Sequence, residues 1–378
     1  MVIIQLLANA VRLRKIRNYG LSAVLNGAFV GGALIAAPAF AQSPATAVQT
    51  LRLGIGLPAE SVQGQAVMDF ASRVEKYTEG AIRIELLAGG KAGNDIAMVK
   101  ALQVGELEMT APDSSTLASL EKGFSAINYP FTFLNEVEAD TILDGPWGQR
   151  LLDNLEKHGI HGLAYWENGF RQMTNSRKPM SKALDFVGVR MRTMQNPLLV
   201  DSFSRLGFDA VPMSFNKVYG ALQTQEVDGQ ENPLPTILNS KFYEVQKYLT
   251  LSRHVYSAHT LLIAKKRWDS LKPAHQEAIQ RAVIESRGVE RKLSRDGSDL
   301  ALTELKAKGM EVSTIPKADA ERIRNRLREV FDKYNRDIGI ETMIELYVAL
   351  GKMRTASDTS RVPDASKAVA PKAAAPQN

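Results

Sequence analysis

Cysteine is absent from the 378-residue chain, which rules out disulfide frameworks, thiolate nucleophiles and Cys-ligated zinc. Histidine is scarce, and the five present (His158, His161, His254, His259 and His275) include no pair at i, i+4 with an intervening glutamate, so the zinc-hydrolase pattern fails. His158 and His161 flank a Gly-Ile turn, and His254 and His259 fall in a strand-like segment. No GxSxG, Walker A, EF-hand or GxGxxG motif occurs. Gly89-Gly90-Lys91-Ala92-Gly93 has the glycines that let backbone N–H groups approach a phosphate. It lacks the Gly-Lys-Ser/Thr half of a P-loop and reads as a strand-to-helix turn. No catalytic residue, metal site or cofactor is therefore expected.

Charge of one sign is also lacking. The formal net charge is +6, with 23% charged and 44% hydrophobic residues, an ordinary globular balance. Four of the cations, Arg12, Arg14, Lys15 and Arg17, lie in the first 41 residues, where there is no acidic residue. They precede an apolar and small-residue stretch from Leu21 to Ala37 and an Ala39-Phe40-Ala41 site, the pattern of a secretory signal peptide with cleavage expected after Ala41. Its removal lowers the net charge to +2. In the remainder Lys and Arg are interleaved with Asp and Glu, so the basic stripe that a nucleic-acid partner needs is missing. No later run is apolar enough to span a bilayer. An exported protein located in the periplasm is expected, with two compact units given roughly 100–200 residues per domain.

The pattern that is present is α/β. Thr50 to Gly56 alternates as a strand, Val67 to Tyr77 has helical spacing, and Ile82 to Leu86 alternates again, which predicts a βαβ unit in a mainly parallel sheet. A helix from Asp95 to Val104, strands at 107–111 and 209–212, and a unit from Lys217 to Gln223 continue the alternation. From Pro273 to Lys308 an Ala-, Glu-, Arg- and Leu-rich run without internal proline predicts a helix long enough to pack along more than one unit. After Leu350 the composition turns to Ser, Lys, Ala and Pro, and a disordered tail over 351–378 is expected.

One segment points to ligand chemistry. Gly188-Val189-Arg190-Met191-Arg192-Thr193 alternates apolar and cationic residues, so Arg190 and Arg192 share a face of a strand that ends at Gln195-Asn196-Pro197. Ligands of open α/β sheets bind at the carboxyl ends of strands, and a guanidinium fork suits a carboxylate. On the residues alone a solvated or salt-bridged arginine is the alternative.

Beyond these local patterns, Trp166-Glu167-Asn168-Gly169-Phe170-Arg171-Gln172, Pro212-Met213-Ser214-Phe215, Val218-Tyr219-Gly220-Ala221-Leu222-Gln223-Thr224, Asp228-Gly229-Gln230-Glu231-Asn232-Pro233 and Phe242-Tyr243-Glu244-Val245-Gln246-Lys247 resemble the DctP-type solute-binding proteins of tripartite ATP-independent periplasmic (TRAP) transporters. The resemblance implies a two-lobed periplasmic binding protein fold, with a ligand cleft between the lobes and a long helix across both. On that frame, residues 48–168 with 258–298 form one lobe and 169–257 with 299–350 the other, with hinges near Glu167–Phe170, near His254–Ala258 and within the long helix. It also implies that Arg192 clamps the carboxylate of a small organic anion, a C4-dicarboxylate or a sugar acid. Arg171 and Asn232 would help to hold the anion, Phe215 would pack on it, and Gln195 and Asp113 would make ligand-specific contacts. The implied partners are the TRAP membrane subunits, and a monomer is expected. Lys217, the Thr193-Met194 pair and Leu57 depart from the family's usual residues. Two alternatives stay open: a ligand-sensing receptor, and an enzyme acting on a carboxylated sugar with Asp113 or Glu167 as base.

Overall fold

The computed structural model describes residues 48–359. The expected leader and the sequence beyond 359 lie outside the described residues. Among the described residues, eleven strands form two sheets. Strands β1 (Gln49–Gly54), β2 (Ile82–Leu87), β3 (Met109–Thr110), β4 (Ile160–Phe170) and β10 (Tyr256–Ala264) make one, in the order β2-β1-β3-β10-β4. Strands β5 (Gln172–Asn175), β6 (Arg190–Thr193), β7 (Asp209–Pro212), β8 (Gly229–Asn232), β9 (Tyr248–Leu251) and β11 (Glu311–Thr314) make the other, in the order β11-β9-β5-β8-β6-β7.

Twelve α-helices among the described residues cover the sheets. They are α1 (Val62–Tyr77), α2 (Asp95–Val104), α3 (Glu136–Asp144), α4 (Pro146–Asp153), α5 (Pro197–Leu206), α6 (Val218–Gln223), α7 (Leu234–Asn239), α8 (Lys265–Asp269), α9 (Pro273–Ala307), α10 (Lys317–Arg326), α11 (Arg328–Ile338) and α12 (Ile340–Thr359).

The first βαβ unit forms for local reasons. Ser61 caps α1 by accepting the Gly64 N–H at 3.1 Å, and Val67, Phe70 and Val74 bury one helical face against Leu51, Leu53, Ile82 and Ile84 of the parallel β1–β2 pair. Gly54 at the end of β1 is required for close packing, since a Cβ there would meet Met98 Sδ of α2 at 2.6 Å.

The expectation of mainly parallel sheets fails: both are mixed. The reason lies in how the chain passes between lobes. Strand β4 leads through Arg171 into β5, and β9 returns through residues 252–255 into β10. Because the two crossings lie side by side, with the Arg171 N–H donating to the Val255 carbonyl at 2.8 Å, the strands that feed them run antiparallel, β4 against β10 and β5 against β9. His254 therefore sits in a crossing segment, not in a strand.

Helix α9 is long because nothing breaks it: 35 residues at 1.5 Å each reach roughly 50 Å. Ile279, Ala282 and Val283 bury into the first lobe, while Ala301 and Leu305 bury into the second. Between them Arg291 grips Asp144 at 2.7 Å and Arg295 reaches Asp140 at 2.8 Å and Glu167 at 2.7 Å, tying the helix to α3 and β4.

The C-terminal elements correct two boundaries. Residues 340–350 were expected with the second lobe, but Met343, Leu346 and Leu350 of α12 pack with Trp147, Leu151 and Ile142 of the first. The tail expected from 351 does not begin there, because α12 runs to Thr359. Arg354 holds that last stretch by donating to the buried carboxylate of Glu138 at 2.9 Å and to the Thr132 carbonyl at 2.7 Å. Composition reported the loss of apolar residues and missed the ion pair.

Candidate functional site

Between the lobes lies a cleft of about 820 Å³, part of it open to solvent, and all six residues singled out from sequence line it: Arg192, Arg171, Asn232, Phe215, Gln195 and Asp113.

The two arginines are equally hidden, at 3% and 1% exposure for Arg192 and Arg171, and electrostatically unlike. Arg171 leaves β4 at the crossing and meets the carboxylate of Glu231 on β8 through both Nε and Nη2. Its Nη2 also donates to the Glu231 carbonyl at 2.6 Å and to Asn232 Oδ1 at 3.1 Å, and its Nη1 donates to Ser257 Oγ at 3.2 Å. His254 approaches the same carboxylate at 3.3 Å. Burial pushes the Glu231 carboxyl up, but Arg171 and His254 overcome this and hold it down at about 2. The charge of Arg171 is thus matched.

Arg192, at the carboxyl end of β6, donates through Nε and Nη2 to the Met213 carbonyl at 2.9 and 2.7 Å. No carboxylate lies within ion-pair distance of it among the described residues, whereas Arg190, two residues earlier on the same face, pairs with Asp228 at 2.8 Å. Burial lowers the Arg192 guanidinium to about 10, partly opposed by the more distant Glu231, Asp113 and Asp95, so it is charged at neutral pH. A buried cation fixed by a neutral carbonyl and open to a cavity is poised for an anion.

The remaining predicted residues divide by depth. Asn232, 3% exposed, donates to Gln230 Oε1 at 2.6 Å and accepts from Arg171, so its amide is oriented before any ligand contact. Phe215 is half-buried, its ring 6.1 Å from that of Phe242. Gln195 is exposed at the rim. Asp113 accepts from the Ser115 N–H at 2.9 Å and from Asn168 Nδ2 at 3.1 Å, and it lies 3.8 Å from Arg171 Nη1. Of the departures noted from sequence, Leu57 and Met194 both line the cleft.

Sequence reasoning missed the polar wall of the first lobe. Asp95 stands in the first turn of α2 and accepts the Asp113 N–H at 3.3 Å. Burial and then the charge of Asp113 raise its carboxyl to about 6, with Arg192 pulling the other way. His259 faces Asp113 across an isolated bridge, and burial lowers its imidazole to about 4 against the pull of Asp113. Gln63 completes this wall, and Thr236 of α7 lines the cleft from the second lobe. The available signal is the Gly89–Gly93 turn, whose glycines bring the start of α2 to the cleft. Among the described residues no group of three or more His, Asp or Glu side chains could hold a metal ion, and no helix is long and apolar enough to cross a membrane.

The profile of bacterial extracellular solute-binding protein family 7, DctP, matches residues 53–337. A solved structure of the sugar acid binding protein DctPAm of Advenella mimigardefordensis, in complex with galactonate, is 41% identical and covers 81% of this chain and 98% of its own, with a TM-score of 0.79. The 2,3-diketo-L-gulonate-binding periplasmic protein YiaO of Escherichia coli is 33% identical over 76% of this chain and 88% of its own length. The C4-dicarboxylate-binding periplasmic protein DctP of Rhodobacter capsulatus is 31% identical over 77% and 87%. With its two mixed sheets, interlobe cleft and buried arginines, the chain belongs to the DctP family and is a periplasmic solute-binding protein of the TRAP transporter type.

Proposed function

We propose that the cleft takes a sugar acid, a monocarboxylate with a polyhydroxylated chain, in preference to a C4-dicarboxylate, and that the protein presents it to TRAP membrane subunits without altering it. The observation that carries this reading is charge placement. Among the described residues the cleft offers one buried cation without a carboxylate partner, Arg192, while the wall contributed by the first lobe carries two carboxylates, Asp95 and Asp113. A second ligand carboxylate would meet like charge there, at a cost of kcal/mol order in a partly desolvated site. Hydroxyl groups would instead donate to those carboxylates and exchange bonds with Asn168, Gln63, Thr236 and Gln195. The likeness to a galactonate-bound structure and to a diketogulonate-binding protein supports the same choice.

In this scheme Arg192 anchors the ligand carboxylate, and Arg171, already bound to Glu231, positions Asn232 and presents Nη1 to the anion. Phe215 packs on the carbon chain, and Gln195 and Asp113 read its hydroxyls. The role is binding alone. Glu167, considered as a base, is engaged by Arg295 at 2.7 Å. The protein is proposed to act as a monomer, exported with cleavage after Ala41. Calorimetry and thermal shift of the purified protein with D-galactonate, D-erythronate, D-galacturonate and succinate test the reading. The aldonates or the uronate are expected to bind at least tenfold more tightly than succinate, and tighter succinate binding would sink it.

A further inference from the structure

The two lobes touch at a point that the ligand scheme does not use. Asn196 follows the cleft-lining Gln195 and is 1% exposed. Its side-chain oxygen caps α5 by accepting the Leu198 and Leu199 N–H groups at 2.9 and 3.3 Å. Two backbone donors on that oxygen leave the amide nitrogen no alternative orientation, and the nitrogen donates across the cleft to the Ser115 carbonyl at 3.1 Å. Ser115 is in the first lobe, where its own N–H is held by the cleft-lining Asp113 at 2.9 Å, and its hydroxyl reaches Met194 Sδ at 3.4 Å. The apolar surface agrees: Leu198, in the first turn of α5, is fully buried and packs with the core cluster of the first lobe.

We infer that Asn196 is a closure latch, a positioning residue that holds the lobes together through Ser115 and so ties the ligand-reading side chains Asp113 and Gln195 into one closing unit. The inference rests on the cleft being a closing ligand site. A side chain that caps a helix of its own lobe needs only an acceptor, and both serine and aspartate supply one. The amide donor has no function in the cap and finds its partner in the other lobe. On opening, the Ser115 carbonyl and the Asn196 amide return to water, so the bond contributes to the closed state only.

The test separates the donor from the cap. Asn196→Asp keeps the acceptor for α5 and removes the donor to Ser115, and Asn196→Ser keeps a shorter acceptor. The chain has no cysteine, so a single Ala97→Cys, exposed on α2 beside the cleft, carries one nitroxide. Relaxation enhancement at the methyl of Met213 in the opposite wall then reads the closed population, with and without D-galactonate. Loss of one neutral hydrogen bond between buried groups is expected to lower the closed-to-open ratio about tenfold in Asn196→Asp and Asn196→Ser, and to speed galactonate dissociation by a similar factor. Unfolding of the ligand-free protein should stay close to that of the parent. Equal enhancement in parent and both variants, with or without galactonate, overturns the latch, as does a loss confined to unfolding temperature. Enhancement that responds to the variants but not to galactonate upholds the latch and overturns only the sugar-acid reading. No closed contribution in any sample overturns both.

Discussion

Arg192 spends two of its donors, Nε and Nη2, on a single neutral acceptor, the Met213 carbonyl at 2.9 and 2.7 Å. That arrangement fixes the plane of the guanidinium and leaves it without an ion-pair partner among the described residues, a combination that costs stability and, on the proposed reading, serves an incoming anion. Replacing Arg192 by Met should therefore have two effects of opposite sense. Sugar-acid affinity should fall by a factor of about 100 or more, the scale of losing a desolvated charge pair. The ligand-free protein should unfold at a higher temperature, because a buried unpaired cation has been removed. Calorimetry and thermal unfolding check the two halves separately. Arg192→Lys should recover little binding, since a lysine cannot hold the Met213 carbonyl and a carboxylate with one planar fork.

Arg171 predicts the reverse sign. Its removal strands the carboxylate of Glu231, which is 1% exposed and held at about 2 by that guanidinium and His254. Arg171→Met is expected to destabilise the ligand-free fold by about 3–5 kcal/mol, as breaking a buried pair does, with a further loss of binding. The folded-state value of Glu231 is depressed, so its contribution is complete above the ordinary carboxylate range near pH 4.5 and is lost as pH falls toward 2. Denaturant melts of parent and variant should converge across that window. A variant as stable as the parent at pH 7 would show that Glu231 finds another partner.

Asp95 supplies a pH test at the other wall. Its carboxyl is raised to about 6 by burial and by Asp113, so folding binds a proton more strongly than the unfolded chain does. Stability is then full below the unfolded value near 4 and declines as pH rises through about 6. Asp95→Asn, which can still accept the Asp113 N–H, should be more stable than the parent above pH 6, by up to about 2 kcal/mol. The difference should vanish near pH 4. If Asp95 reads a ligand hydroxyl, the same variant should also lose about tenfold in galactonate affinity, while its affinity for succinate should rise as a negative charge leaves the wall. Unchanged selectivity between the two ligands would remove Asp95 from the recognition scheme.

How much of this was legible in the sequence differs between elements for physical reasons. The helix at Asp95–Val104 and the strand at Asp209–Pro212 were readable to the residue, because Asn94 and Gly105 cap the first and Pro212 closes the second. Strand parity and the carboxyl-end rule made a cleft position for Arg192 physically sensible, and the family resemblance selected it over a solvated or salt-bridged arginine. Its lack of a carboxylate partner did not, because a partner for Arg192 could have come from any distant segment, just as Arg190 found Asp228 on a loop 38 residues away. The same limit hid Asp95, which reads as an ordinary first-turn acid of a helix and gains its meaning only when the Gly-rich turn swings it toward Asp113. The mixed sheets were unreadable for a topological reason: local alternation reports a strand without its direction, and direction here is set by the paired crossings.

The C-terminal boundary offers the last test. Composition changes at Leu350, but α12 continues, and Arg354 is the residue that makes the continuation worthwhile. The Glu138 side chain, 6% exposed, accepts from Arg354 and from the Leu134 N–H at 2.9 Å. Burial raises this carboxyl, but Arg354 and the Leu134 N–H outweigh it and hold the carboxyl below its usual value. Arg354→Ala removes one of two supports from a buried anion and should cost about 1–3 kcal/mol, discounted toward the lower end because Arg354 itself is a third exposed. Truncation after Leu350 removes the same contact together with the last turns of α12 and should cost at least as much. The penalty of Arg354→Ala should shrink as pH falls below the ordinary carboxylate range, where Glu138 becomes neutral in both states. Thermal unfolding at pH 7 and at pH 3 measures this directly. A truncated chain as stable as the parent at pH 7 would return residues 351–359 to the status of a tail.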